Sequence, residues 1–573
     1  MTAYKWRARQ PLGGALLVCA IATLTMPAHA TRFQLGDVQG SFDSTLSIGA
    51  SWRISDIDRQ QVSPGNYPDG QALSSTNDDG NLNFKQGRTF SQIFKGVHDF
   101  SLTYHNIGAF TRFKYWYDRE LADGSRPHGH GPNLYEPGAK LDDSDFSDNA
   151  KFSGFEFLDA FIYGDFYLAN NPINIRLGQQ VINWGESTFI MNGINAVNPI
   201  DVNAFRRPGA EIREGLLPVN LAYINIGLTE SVSLEAFYQF KWNKTELDGC
   251  GTYFSTTDVV SDGCNFLTLR PDLTDQEAIA VPFGALMRSE DIEPKDDGQF
   301  GVALRYYSQA LNDTEFGFYY MNFHSRIPYV GVSTIDVPSG GMPTYYIEFP
   351  ENIQLFGLSF NTNVGAFAWS GEISHRRDSP VQINGSEVIG GLFGALGFAP
   401  PNTYSPRVNM GERTSGYDRF DITQVQSTLL RVYNQVMGAS RLIAIGEAGF
   451  IHIHNSLNSH PYGRSTNYGA GAPGDDGFVT NNSAGYRLRM ELEYNQLFAD
   501  LNVSPTLSWS HDVYGVSPSG GAFNEGDRAI SIGVNTEYKN TFTANLSYTN
   551  FFGGNFNTLN DRDFIAASAS VAF

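Results

Sequence analysis

Apolar and polar side chains alternate with a period of two along most of this chain. After the first thirty positions no apolar run reaches the roughly 18 residues a membrane helix needs. In 42–54, Phe42, Leu46, Ile48, Ala50, Trp52 and Ile54 share one face, while Asp43, Thr45, Ser47, Ser51 and Arg53 share the other. Around the turn at Thr229-Glu230-Ser231, Ala222, Ile224, Ile226 and Leu228 precede it, and Val232, Leu234, Ala236, Tyr238, Phe240 and Trp242 follow it on the same face. Phe300, Val302, Leu304 and Tyr306 repeat the pattern, as do Ile530, Ile532 and Val534 near the end. A soluble sandwich or propeller also alternates. Here there is no blade-length repeat, and the apolar faces are consistently aliphatic or aromatic. Segments like these can cross lipid only as a closed barrel, because every backbone N–H and C=O there needs a partner within the protein.

Composition fits an all-β transmembrane antiparallel barrel. Mean hydropathy is −0.27 although 13% of residues are aromatic, as expected when lipid-facing and lumen-facing positions average out. The formal charge is −21 and becomes −24 once Lys5, Arg7 and Arg9 are removed with a leader, which argues against nucleic acid as a partner. Those three cations, the apolar stretch from Leu12 to Met26 and the small-x-small site Ala28-His29-Ala30 read as a signal peptide over 1–30. The barrel domain is then 31–573. In 564–573, Ile565, Ala567, Ala569, Val571 and Phe573 alternate with small residues. An aromatic end to such a strand resembles the signal read by the assembly machinery of Gram-negative outer-membrane barrels. The expected setting is therefore the cell outer membrane, with its lipid as a partner.

The pattern gives about eighteen strands, with sixteen as the fallback, an even number that places both ends on the periplasmic side. Periplasmic turns are short. The external connections are long, near 55–96, 118–156, 183–218, 243–298, 324–352, 377–420, 454–484 and 511–527. Cys250 and Cys264 fall in one external loop, where an oxidising compartment favours a disulfide over free thiols or a metal site.

One block is more specific than the rest. The run RLGQQVINWGESTF from Arg176 to Phe189 continues through Asn192 to Asn195, Asn198-Pro199 and Asp201, and into RRPGAEIRE from Arg206 to Glu214. Together with Gly36-Asp37, Trp52-Arg53, Asn81 to Phe84 and Asp561 to Phe564, it resembles a family of proteobacterial proteins catalogued as domain of unknown function thirteen-oh-two. The resemblance covers the mature chain and implies an outer-membrane barrel. Its members' genes often lie near those for resistance-nodulation-division transporters and for degradation of hydrophobic compounds. That implies a periplasmic or inner-membrane transport partner.

The connection 183–218 is dense in charge and proline, and a long loop of this kind can fold into a lumen and narrow it. Arg176, Gln180, Trp184 and Glu186 are expected to line the wall, with Asp201, Arg206, Arg207, Glu211 and Arg213 at a constriction whose opposed charges orient solutes. The competing reading is a packed plug whose charges neutralise one another. The glycine-rich stretch 386–399 carries Val388, Ile389, Leu392, Phe393, Leu396 and Phe398 in a supposed external loop. It either offers an apolar docking surface or forms a short helix capping the barrel. His452 and His454 alternate on one strand but make an incomplete metal site, and Asp142, Asp143, Asp145 and Asp148 lack EF-hand spacing, so neither a metal nor a cofactor is expected. No GxSxG elbow, P-loop or dinucleotide fingerprint is present. The leading reading is a channel, not an enzyme, passing small hydrophobic or amphipathic solutes by diffusion. The alternatives are a barrel lipase or protease, with His375 or His452 as base, and an adhesive surface protein.

Overall fold

The computed structural model describes residues 31–472, 474–518 and 522–573. The expected leader lies outside them. The barrel begins with β1 (Val38–Arg53), β2 (Thr89–Tyr104), β3 (Ile107–Asp118), β4 (Ser153–Leu168), β5 (Asn171–Gln180) and β6 (Val219–Gly227). It continues through β7 (Val232–Gln239), β8 (Phe300–Ser308), β9 (Thr314–Phe323), β10 (Ile353–Val364), β11 (Phe367–Gln382) and β12 (Tyr417–Asn434). It ends with β13 (Arg441–Ile453), β14 (Asn482–Phe498), β15 (Leu501–Tyr514), β16 (Asp527–Tyr538), β17 (Phe542–Gly553) and β18 (Phe564–Ala572). Each pairs antiparallel with its successor, and β18 closes on β1 in the register Thr45↔Ala572 to Arg53↔Phe564. A nineteenth strand, Thr31–Leu35, folds back on the start of β1 and extends the lane of β18. The expected eighteen-stranded barrel is what forms.

Lipid-facing positions are the ones the alternation selects. Leu358, Ile532 and Leu546 are 49%, 55% and 56% exposed, whereas the inward Ala303 and Leu355 are fully buried. Such an apolar exterior has one stable solvent, the bilayer interior. The short turns are tight because the chain tolerates left-handed backbone there: Lys539 and Asn540 both take φ 54 between β16 and β17, which matches the twist of the flanking strands.

Two expectations need correction. Trp242 does not face lipid: β7 stops at Gln239, and Trp242 is buried in the external loops, its indole N–H donating to Ser325 O at 3.1 Å while the ring packs on Phe349. A ninth long connection, 554–563, also exists. It carries Arg562, whose buried guanidinium bonds Asn81 Oδ1, and Asp561, which pairs with Arg53 at 3.1 Å. Few of its residues are apolar, so periodicity passes over it.

The external loops build a structured cap. Strands Tyr329–Ser333, Thr344–Glu348 and Arg413–Thr414 form a small sheet, and Phe266–Thr268 pairs with Ala285–Met287. The helix Gly385–Ala395 packs over this sheet, capped by Asn384, whose side chain accepts from Glu387 N. Cys250 and Cys264 are bonded, with Cα atoms 6.0 Å apart, beneath Phe146 and Phe152.

Candidate functional site: an inward loop and the vestibule above it

Between β5 and β6 the chain does not arch over the rim; residues 181–218 enter the barrel and cross it. What draws this polar segment inward is a set of charged wall residues that satisfy its backbone. Glu447 on β13 accepts the N–H groups of Thr188, Phe189 and Ile190 at 3.0, 2.6 and 2.8 Å. Glu372 on β11 accepts from Glu186 N at 2.6 Å and Ile194 N at 2.9 Å, and Gln424 on β12 donates to Met191 O. On the opposite wall, Lys95 of β2 binds Glu214 at 2.5 Å and Gly209 O at 2.8 Å. Lys114 of β3 binds Asp201 at 2.8 Å. Each post is almost fully buried, so the carboxylates and ammoniums act in a low-dielectric setting where charge-assisted bonds are strong.

The residues expected at this site differ in how far they are buried and in what holds them. Trp184 and Gln180 do not line an aqueous wall. Trp184 is 1% exposed, wedged against Phe237 and Tyr319, with its indole N–H donating to Glu235 at 2.6 Å. A large flat ring with one donor is suited to anchoring a loop on a packed wall, and that is its role. Gln180 is likewise buried. Asp201 is a buried cap, accepting from Ala204 N at 3.0 Å at the start of the helix Val202–Arg206. Arg206 and Arg207 lie over aromatic rings, Phe254 at 4.4 Å and Trp116 at 4.3 Å, and are held there by Asp248 and Asn149 O, yet both stay part-exposed.

Arg176, Glu186, Glu211 and Arg213 keep contact with water. Arg176 stacks on Tyr223, and Glu186 accepts from Asn361 at 3.1 Å. Arg213 pairs with Glu211 at 2.7 Å and with Asp99 on β2 at 3.1 Å. Asp99 is also gripped by Arg112 of β3, which reaches Asp159 of β4 at 3.2 Å. This gives a mixed-sign cluster along one side of the inward loop. Sequence reasoning missed Lys95 and Glu447 as posts. The alternation marks Glu447 as inward, since Ala448 and Phe450 face out, but no pattern says that a distant loop will meet it.

Above the loop, the cap frames an open vestibule of about 790 Å³. Val259, Leu269, Val330 and Ile389 line it together with hydroxyls and amides such as Thr76 and Asn77. The apolar stretch 386–399 therefore forms a capping helix. Val388 and Leu392 sit in the cap's core, Ile389, Phe393 and Leu396 pack partly against it, and Phe398 projects outward beside Phe283. Burial pushes Glu348, in the cap's small sheet, up to about 7.

The two histidines considered as a hydrolase base contact a threonine hydroxyl and an amide on neighbouring strands. His375 bonds Thr423 Oγ1 at 2.9 Å and His452 bonds Asn482 at 2.8 Å, with no serine hydroxyl bonded to either among the described residues. The rings of His452 and His454 lie 4.6 Å apart, and His454 bonds Thr423. In the acidic loop, Asp142 accepts from Ser144 N and Asp143 from Phe152 N, so both serve to fix turns.

A family model described as a protein of unknown function, DUF1302, matches residues 12–573. The chain belongs to that family. No curated protein matches it. Among solved structures, Pseudomonas aeruginosa OpdK with vanillate is 9% identical with TM-score 0.39, over 94% of this chain and 98% of that one. Acinetobacter baumannii OccAB2 is 10% identical with TM-score 0.40, over 93% and 98%. A BenF-like porin from Pseudomonas fluorescens Pf-5 is 8% identical with TM-score 0.41, over 94% and 98%. At such levels the function of this DUF1302 chain has to be read from its own residues.

Proposed function

We propose that this DUF1302 barrel is an outer-membrane channel that admits small amphipathic or hydrophobic molecules by diffusion. The observation that carries this reading is the vestibule of about 790 Å³, walled by aliphatic side chains with scattered hydroxyls and amides and the charged Arg464, Asp512 and Asp527, above a loop tied across the lumen. A cavity of that size and lining suits a solute of a few rings with one or two polar groups. The solute would then pass Arg213, Glu211, Asp99 and Arg112, whose paired charges favour polar orientation without strong selection for ion sign. Delivery to a periplasmic or inner-membrane transport partner fits a passive pore, which supplies no energy of its own.

Liposome swelling with solutes graded in size and polarity tests the reading. The expected result is faster entry for small amphipathic solutes than for sugars of equal mass. If no solute enters at any polarity, the lumen is plugged and an adhesive or enzymatic role takes its place.

A further inference from the structure

Beside the vestibule, three external loops bring four metal-ligating side chains into one buried knot. Asp78 and Asp79 come from loop 54–88, His128 from 119–152 and Asp275 from 240–299. One ligand atom from each lies within 4.8 Å of all the others. All three carboxylates are fully buried, and among the described residues only His128 comes into ion-pair range of any of them, reaching Asp79 and Asp275. Two of the carboxylates are only half used: Asp79 Oδ2 and Asp275 Oδ1 are buried and accept no hydrogen bond. The amide of Asn66 is held by its own carbonyl, which accepts from Asp275 N at 2.9 Å. Its NH2 therefore points at Asp78 and Asp275, but one amide cannot offset three acids. Buried carboxylates in such excess call for a cation, and orphaned oxygens at full burial are costly without one.

Two of the ligand spacings also fit. His128 Nε2 stands 3.2 Å from both Asp79 Oδ1 and Asp275 Oδ2. Two ligands of a tetrahedral ion, each about 2.0 Å from the metal, are about 3.3 Å apart. We infer that Asp78, Asp79, His128 and Asp275 hold a divalent first-row cation of the Zn²⁺ or Mn²⁺ type, clipping three external loops together. The imidazole nitrogen and the four-donor set disfavour Ca²⁺, which takes six to eight oxygens. Thr76 and Asn77, next to Asp78 in the chain, line the vestibule, so the ion would hold one of its walls in place. The sequence gives no sign of the site, because its ligands are distributed over about two hundred positions and meet only in the cap. The site is independent of whether the lumen conducts.

The test uses the full chain in detergent, stripped with EDTA and dialysed against Zn²⁺, Mn²⁺ or Ca²⁺ alone, with bound metal counted by mass spectrometry. One Zn²⁺ or Mn²⁺ per chain is expected, with affinity falling more than about tenfold in Asp79→Asn and in His128→Gln. The exposed Asp145→Asn should bind as the parent does. Heat-modifiable migration on gels confirms that each variant is still a barrel. In the parent, the metal should also slow hydrogen exchange of peptides spanning 74–80 and 126–130. Parent-level binding in both Asp79→Asn and His128→Gln overturns the site, as does an absence of bound Zn²⁺ and Mn²⁺ in the parent. Ca²⁺ binding that His128→Gln leaves untouched overturns the assigned ligand set.

Discussion

Glu447→Gln is the sharpest probe of the inward loop. The carboxylate is 1% exposed and receives three consecutive backbone N–H groups, one on Oε1 and two on Oε2. Glutamine has the same shape but only one acceptor oxygen. Placed where Oε2 was, it keeps the bonds to Phe189 and Ile190 and sets its NH2 against the N–H of Thr188. Each surviving bond falls from charge-assisted to neutral, about 1 kcal/mol apiece, and the stranded donor adds about 1–3 kcal/mol. The total is about 3–5 kcal/mol against the latched loop, or roughly 10² to 4 × 10³ in its opening constant at about 1.4 kcal/mol per tenfold. The barrel wall itself loses nothing, because the ladder between β13 and its neighbours uses backbone groups alone. Hydrogen exchange on the chain in lipid nanodiscs should show faster exchange over 186–194 and unchanged exchange in β13. Planar-bilayer recording should show a larger or noisier conductance. Unchanged protection over 186–194 would refute the idea that Glu447 holds the loop.

Other outcomes follow from the same geometry. Lys114→Met leaves Asp201 buried without its cation and should cost about 3–5 kcal/mol locally, while Lys114→Met with Asp201→Asn recovers part of it, Glu156 still lacking the ammonium; urea titration in lipid vesicles checks the pair. Trp184→Ala should destabilise by about 3–5 kcal/mol through the lost ring and the lost bond to Glu235 Oε2, although Arg305 still holds Oε1, read by the same titration. Because Glu348 is raised from the ordinary carboxylate range to about 7 by burial, the folded cap holds a proton that the unfolded loop releases. The cap should therefore be firmest below about pH 4.5, loosen as pH climbs to 7, and level off above. Protease resistance of loop 324–352 measures this, and a slope unchanged in Glu348→Gln would remove Glu348 as its cause. Replacing Cys250 and Cys264 by serine should weaken the loop they close by about 3 kcal/mol, seen as new proteolysis between them, without affecting barrel migration on gels. Single-channel recording on Arg206→Ala, Arg207→Ala and Arg213→Ala compares three part-exposed cations: Arg213, which joins the mixed-sign cluster with Glu211 and Asp99, should move ion preference more than Arg206 or Arg207, which lie over Phe254 and Trp116.

The strand number, the face each strand turns to lipid and the inward course of loop 183–218 were legible without coordinates. Period two is a local property: whether Leu358 or Ser359 meets hydrocarbon depends only on its neighbours in the chain and on the two solvents a barrel separates. The charges of 201–214 likewise announced a loop that needs partners. What tertiary structure alone decided is which partners. Trp184 reads as a wall residue from its place after β5, but Phe237, Tyr319 and Glu235 close around it and take it out of water. Glu447 and Thr188 are 259 positions apart, and Asp79 and Asp275 are similarly remote, so their encounters depend on how eighteen strands close and where nine loops fold in. Alternation fixes the direction of a side chain at its own position; the energy of a buried charge is set by whatever the closed barrel brings opposite it.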